Sequence, residues 1–85
     1  MRKYSVFSDK EWNALSQRIG LTERQSAILK MVIDRHHDQE IARKLNITTR
    51  TVRSHLTAIF KVFNVRDRTS LVVEVFARFR NLERS

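Results

Sequence analysis

The sequence predicts an all-α fold, a small helical bundle that contains a helix-turn-helix. The chain has 85 residues, the length of one small domain. It contains one glycine and no proline, which disfavours sheet-rich and disordered structures because both usually need those residues. Apolar residues recur at spacings of three and four in successive segments, as they do along one face of a helix.

The first predicted helix begins after Ser8, a residue type that caps helix N-termini well. The preceding segment, Met1–Phe7, has no clear period, and we expect it to be frayed or lightly docked. Gly20 suits a left-handed C-cap that ends the helix. The apolar face of this first helix consists of Trp12, Leu15 and Ile19. This spacing predicts a short amphipathic helix that docks on the domain core. The alternative is a linker helix that once joined, or still mimics, an upstream regulatory domain.

Two further helices follow in order. Thr22 and Gln25 match the capping-box pattern at the start of the second helix, which continues to about Asp34. The next four residues have no apolar period and predict a turn, in which Asp38 becomes the N-cap of the third helix. That helix is short and covers about Gln39–Leu45.

The fourth predicted helix, Thr49–Phe63, follows a three-residue turn and is capped by Thr48. At about 100° per residue, its apolar residues fall within one arc. The opposite face consists of Arg50, Arg53, Ser54, Thr57 and Lys61. The segment has three basic residues and no acidic one, whereas a solvated helix usually mixes both signs. Either the pattern arises by chance or this face binds an anion. The net charge of +8 favours nucleic acid as that anion.

The last predicted helix begins near Asp67, a good cap, and continues to about Leu82. Its apolar residues span an arc of about 140°, wider than the roughly 100° that one buried face requires. Two interpretations remain open. The whole arc faces the core of this domain, or one edge of it packs against a second copy of the chain.

Four segments of the chain resemble the LuxR/GerE-type DNA-binding domain. They are Leu21–Gln25, Glu40–Leu45, Thr51–Leu56 and Val65–Thr69, in the order and spacing of that family. The resemblance extends from Leu21 to about Phe76. The promoter-reading domain of sigma factors shares the Glu-Ile-Ala and Thr-Val-Arg segments. The His-Leu continuation and the Val-Arg-Asp-Arg-Thr segment favour the LuxR/GerE type.

The resemblance implies a four-helix domain over residues 21–85 that binds double-stranded DNA as a bacterial transcriptional regulator. Residues 1–20 are then an N-terminal extension with a short amphipathic helix. The helix Thr49–Phe63 would enter the major groove. The positions expected to contact bases are Arg53, Ser54 and Thr57. Those expected to contact phosphates are Gln39, Thr49, Arg50, Thr51 and Lys61.

The resemblance also favours a homodimer, because members of the family commonly dimerise through the last helix. The expected interface residues are Leu71, Val72, Val75, Phe79 and Leu82. RNA polymerase or a regulatory protein is a further candidate partner. We expect a cytoplasmic location, with the chain associated with the nucleoid when it is bound to DNA.

Five positions depart from the family pattern. Arg35 stands where the family usually has glycine, and a left-handed backbone there would cost roughly 1 kcal/mol. His36 and His37 replace an apolar and a capping residue. Gln39 replaces a common lysine, which weakens one expected phosphate contact. Val62 stands where a basic residue is frequent.

Other classes of function receive little support from the sequence. There is no cysteine, and adjacent histidines in a turn do not converge on one metal ion. No nucleophile with its base, glycine-rich phosphate loop or paired carboxylates appears, so we expect no catalysis and no cofactor. No apolar run approaches the roughly 18 residues of a membrane span. The alternatives are a sigma-factor-like promoter-reading domain and a helix-turn-helix fold that serves as a protein-interaction module.

Overall fold

A computed structural model describes residues 5–84, which form five helices and no strand. The helices are α1 Asp9–Ile19, α2 Glu23–Ile33, α3 Asp38–Leu45, α4 Thr49–Phe63 and α5 Arg68–Arg84. The predicted all-α class is confirmed. None of these five helices has both the length and the apolar character needed to cross a membrane.

Local capping interactions explain where most of the helices begin. The side chains of Ser8, Thr22 and Thr48 each accept a hydrogen bond from the backbone N–H three residues later, at 3.1 Å. Asp67 accepts one from the N–H of Ser70 at 2.7 Å. Because each cap satisfies a backbone donor that the helix cannot, it stabilises the first turn. The predicted starts of α1, α2, α4 and α5 are therefore confirmed.

The start of α3 differs from the prediction. His37 occupies the N-cap position, and its backbone N–H donates to the Glu40 carboxylate at 3.1 Å. Asp38 is the first helical residue, so its predicted role as the cap is wrong. Arg35 adopts a left-handed backbone with φ of 68°, which costs about 1–2 kcal/mol for a residue with a Cβ. This conformation turns the chain between α2 and α3.

One hydrophobic core receives side chains from all five helices. α4 packs against both α2 and α3, and α1 packs against α5. The largest fully buried side chains are Leu15, Ile28, Leu29, Ile41, Val52, Ile59, Leu71 and Val75. The indole N–H of Trp12 donates to the Ser26 hydroxyl at 2.9 Å, and that hydroxyl lies 2.7 Å from the Ser16 hydroxyl. The polar atoms between α1 and α2 are thereby satisfied, as burial requires.

The segment before α1 is anchored in this core through an aromatic cluster. Phe7 is only 3% exposed. Its ring centroid lies 5.7 Å from that of Trp12, 5.2 Å from that of Phe76 and 4.5 Å from that of Phe79. The expectation of a frayed or lightly docked segment is therefore wrong for residues 5–7. The earlier part of that segment, residues 1–4, lies outside the described residues.

A buried carboxylate holds the same segment from the other side. Asp34 is 8% exposed and accepts hydrogen bonds from the Val6 backbone N–H at 2.8 Å and the Ser5 hydroxyl at 3.2 Å. The Lys30 ammonium lies 3.3 Å from the same carboxylate. These partners offset the cost of burying the charge. They also attach residues 5 and 6 to the end of α2.

The chain itself covers most of the wide apolar arc of α5. Leu71 and Val75 are fully buried within the chain itself, and their place in a dimer interface stays a prediction. Val72, Phe79 and Leu82 are partly buried against the core. The large apolar residues that α5 leaves exposed are Val73, at 63%, and Phe76, at 42%.

Candidate nucleic-acid interface

The helix-turn-helix is formed by α3, a three-residue turn and α4. Asn46 has a left-handed backbone with φ of 55°, and the N–H of Ile47 donates to the carbonyl of Ala42 at 2.9 Å. Ala42 is 6% exposed, and its small side chain permits close packing of the two helices. Val52 and Leu56 are buried on the inner face of α4. Packing of this face leaves the opposite face of α4 open to solvent.

The outer face of α4 contains all of the predicted base-contacting side chains. Arg53, Ser54 and Thr57 are exposed, and the Arg53 side chain is 73% exposed. Among the predicted phosphate contacts, Gln39, Arg50 and Lys61 are exposed, whereas Thr49 and Thr51 are half-buried in the first turn of α4. Of the two sets, only these two threonines are not fully exposed. The contacts of both sets with DNA stay predictions.

Two threonine hydroxyls on α4 are already hydrogen-bonded within the chain. The Thr57 hydroxyl donates to the carbonyl of Arg53 at 3.0 Å. That donor is therefore occupied, and the oxygen lone pairs and the methyl group remain for a ligand. The Thr51 hydroxyl lies 3.0 Å from that of Thr48, so it belongs to the cap of α4.

One acidic side chain reaches the basic face of α4 from α3. The Asp38 carboxylate lies 2.9 Å from Nη2 of Arg68 on α5 and 3.7 Å from Nε of Arg53 on α4. Its side chain is 21% exposed. A single carboxylate thus joins three helices beside the main predicted base-contacting residue. The contact between Asp38 and Arg53 could not be predicted from the sequence, because helical periodicity carries no information about partners on other helices.

Basic side chains also lie near α3, on both sides of its acidic first turn. Arg35, His37, Gln39 and Arg68 line an open depression beside Asp38. Arg43 and Lys44 are exposed in the last turn of α3. Basic side chains of this kind favour binding of a polyanion, because each phosphate that they neutralise releases counterions.

The histidines have separate surroundings. Nδ1 of His36 lies 3.3 Å from the Glu40 carboxylate, whereas His37 is exposed and His55 is half-buried. Within residues 5–84, no three side chains of His, Asp or Glu converge as a metal site requires.

Comparison with known proteins identifies the family. Residues 20–75, about two-thirds of the chain, match the GerE model, described as bacterial regulatory proteins of the luxR family. The response regulator protein VraR from Staphylococcus aureus is 39% identical over 56 residues, which are 66% of this chain and 27% of the relative. The proteins of the same name from Staphylococcus saprophyticus and Staphylococcus epidermidis match with the same values. No solved structure matches the chain.

The chain belongs to the luxR family of bacterial regulatory proteins. The matched segment is a helix-turn-helix domain of DNA-binding transcriptional regulators, and this family is not an enzyme family. The chain spans about a quarter of the length of the VraR relatives.

Proposed function

We propose that this member of the luxR family binds double-stranded DNA sequence-specifically as a bacterial transcriptional regulator, with α4 in the major groove. The observation that carries the proposal is the outer face of α4, which is exposed, basic and free of acidic residues. That face lies on the second helix of a helix-turn-helix, the position of the recognition helix in such domains.

Arg53 is the main candidate for reading a base. Its guanidinium can donate two hydrogen bonds to O6 and N7 of a guanine, an arrangement worth about 1–3 kcal/mol of discrimination. Ser54 and Thr57 add weaker discrimination, since a hydroxyl suits several base edges. Thr57 offers its acceptor and its methyl group, because its donor is bonded to a backbone carbonyl.

The phosphate contacts would come from both helices of the motif. Arg50 and Lys61 on α4 would neutralise phosphates, and Thr49 and Thr51 would donate or accept hydrogen bonds near the start of that helix. Gln39, in the first turn of α3, would contact a phosphate beside the basic depression. Such contacts position the domain without reading the sequence. Binding therefore weakens steeply as the salt concentration rises.

The test is the substitution Arg53→Ala, assayed by fluorescence anisotropy on a duplex that the wild-type chain prefers and on single-base variants of it. We expect a loss of about 1–3 kcal/mol on the preferred duplex and reduced discrimination at one position. Arg18→Ala removes a positive charge from α1, outside the matched segment, and serves as the control. An equal loss on every duplex would contradict the base-reading role.

The dimer is proposed through the exposed side of α5. Val73 and Phe76 are the large apolar residues that this helix exposes. Among the predicted interface residues, Val72, Phe79 and Leu82 are partly buried. A twofold dimer would bind two half-sites about one DNA turn apart. RNA polymerase or a regulatory protein as a partner and a cytoplasmic location also stay predictions.

Sedimentation velocity tests this proposal with Val73→Glu, which places a charge in the proposed interface at a residue that is 63% exposed. The variant should sediment as a monomer at concentrations at which the wild-type chain is a dimer. Val62→Glu places the same charge at an exposed valine of α4 and should leave the dimer intact. A wild-type chain that is monomeric both alone and on DNA with two half-sites would contradict the dimer.

A further inference from the structure

We infer that Asp38 is a positioning residue for base reading, an inference that rests on the proposed function. Its carboxylate approaches Arg53 at Nε, 3.7 Å away. Two hydrogen bonds to a guanine can be donated by the terminal Nη groups. The Arg53 side chain is 73% exposed and meets Asp38 at Nε, so this ion pair does not occupy the Nη groups. Asp38 therefore restrains Arg53 at Nε, an atom that need not contact DNA.

The carboxylate of Asp38 is itself fixed by groups outside α4. Arg68 donates to it from Nη2 at 2.9 Å, a charge-assisted hydrogen bond from another helix. Asp38 is also the first residue of α3, where the helix dipole favours a negative charge. The position of the Asp38 carboxylate is therefore fixed by Arg68 and α3, and this carboxylate limits the rotamer freedom of Arg53.

This arrangement has two effects of opposite sign on DNA binding. A free arginine side chain has about 2 kcal/mol of rotamer entropy to lose, so restraint before binding lowers the cost of the base contact. A carboxylate beside the phosphates lowers affinity for every duplex. Asp38 thus increases discrimination between sequences and decreases general affinity. A residue with only a structural role would change both in the same direction when it is removed.

The experiment compares Asp38→Asn with the wild-type chain at one salt concentration. Binding is measured on the preferred duplex, on the duplex altered at the base pair where Arg53→Ala loses discrimination, and on an unrelated duplex. We expect the discrimination to fall by about twofold to fivefold, the coupling typical of an exposed ion pair. Binding to the unrelated duplex should become tighter, because one negative charge is removed.

Asp9→Asn is the matched control, since Asp9 is the first residue of α1 as Asp38 is of α3. It removes the same charge from an extension outside the family segment and should leave discrimination unchanged. Asp38→Glu keeps the charge and should retain more discrimination than Asp38→Asn. It also provides the test if the asparagine variant melts below the assay temperature.

Two results would overturn the inference while the proposed function stands. The first is unchanged discrimination in Asp38→Asn on a duplex that the wild-type chain reads. The second is a loss of discrimination by Asp38→Asn that is as large in the Arg53→Ala background as in the wild-type chain, since the effect would then not act through Arg53. A wild-type chain without any base preference would overturn both the inference and the proposed function.

Discussion

The stabilising role of the segment before α1 can be measured at Phe7. This residue is 3% exposed, and its ring packs against three other aromatic rings. Truncation of a buried phenylalanine to alanine costs about 3–5 kcal/mol. The loss of free energy of unfolding in Phe7→Ala should be near the lower end of this range, about 3 kcal/mol. The neighbouring Phe76 is 42% exposed, so its ring can shift into the space that the truncation leaves.

A loss of this size is a large part of the roughly 5–15 kcal/mol that stabilises a typical domain. It corresponds to a decrease in melting temperature of about 12–24 °C for a chain of this length. Urea unfolding followed by circular dichroism gives the free energy, and a thermal scan gives the melting temperature. Val6→Ala is the control, since Val6 is 46% exposed and should change stability by less than about 0.5 kcal/mol. A loss of about one or two kcal/mol is already a large fraction of a domain's stability. If the free energy of unfolding of Phe7→Ala lies within about 1 kcal/mol of the wild-type value, the conclusion that Phe7 anchors this segment is refuted.

Two further predictions concern the caps beside the candidate interface. Thr48→Ala should lower the free energy of unfolding by about 1 kcal/mol in urea titrations, because Thr48 caps α4. Thr48→Ser keeps the hydroxyl and should leave that free energy nearly unchanged. Equal losses in both variants would exclude the hydroxyl as the stabilising group. Hydrogen bonds from the backbone N–H and the hydroxyl of Ser70, and from the N–H of Thr69, lower the pKa of Asp67. A lowered folded-state pKa means that the carboxylate stabilises the fold above its unfolded pKa of about 4 and that this stability is lost as the pH falls through both values. Asp67→Asn should therefore lose less stability on acidification than wild type, as measured by urea midpoints at pH 5 and pH 3, and an identical loss in both chains would contradict this role.

Interactions within a few residues were readable from the sequence. Ser8 forms the predicted cap and the Thr22–Gln25 pair the predicted capping box, because in each case the partner lies three residues away on a backbone that the helix itself specifies. The exposed face of α4 follows from the same helical geometry, since apolar residues on one side place Arg53 on the other.

Contacts between distant parts of the chain were not readable in this way. Phe7 belongs to no helical period, and its partners Phe76 and Phe79 lie near the other end of the chain. Asp38 and Arg68 are 30 residues apart, and each is an ordinary charged residue in its own helix. The width of the apolar arc on α5 likewise does not specify which residues the chain itself covers.

The left-handed conformation of Arg35 was foreseen only as a conflict between the residue and the family pattern. The backbone N–H of Arg35 donates to the carbonyl of Val32, and that of His36 donates to the carbonyl of Met31. These hydrogen bonds close the end of α2 and offset the cost of a positive φ. These C-cap hydrogen bonds thus accompany a backbone conformation that by itself favours glycine.

Sequence-specific recognition by α4 can be tested by selection from random duplex DNA with the purified chain, at near-physiological salt. We expect enrichment of a short motif, in two related halves about one helical turn apart. We also expect Arg53→Ala to relax the motif at one position in each half. Residual binding that enriches no motif and disappears steeply with salt would reflect phosphate attraction alone. That result would contradict sequence-specific recognition by α4.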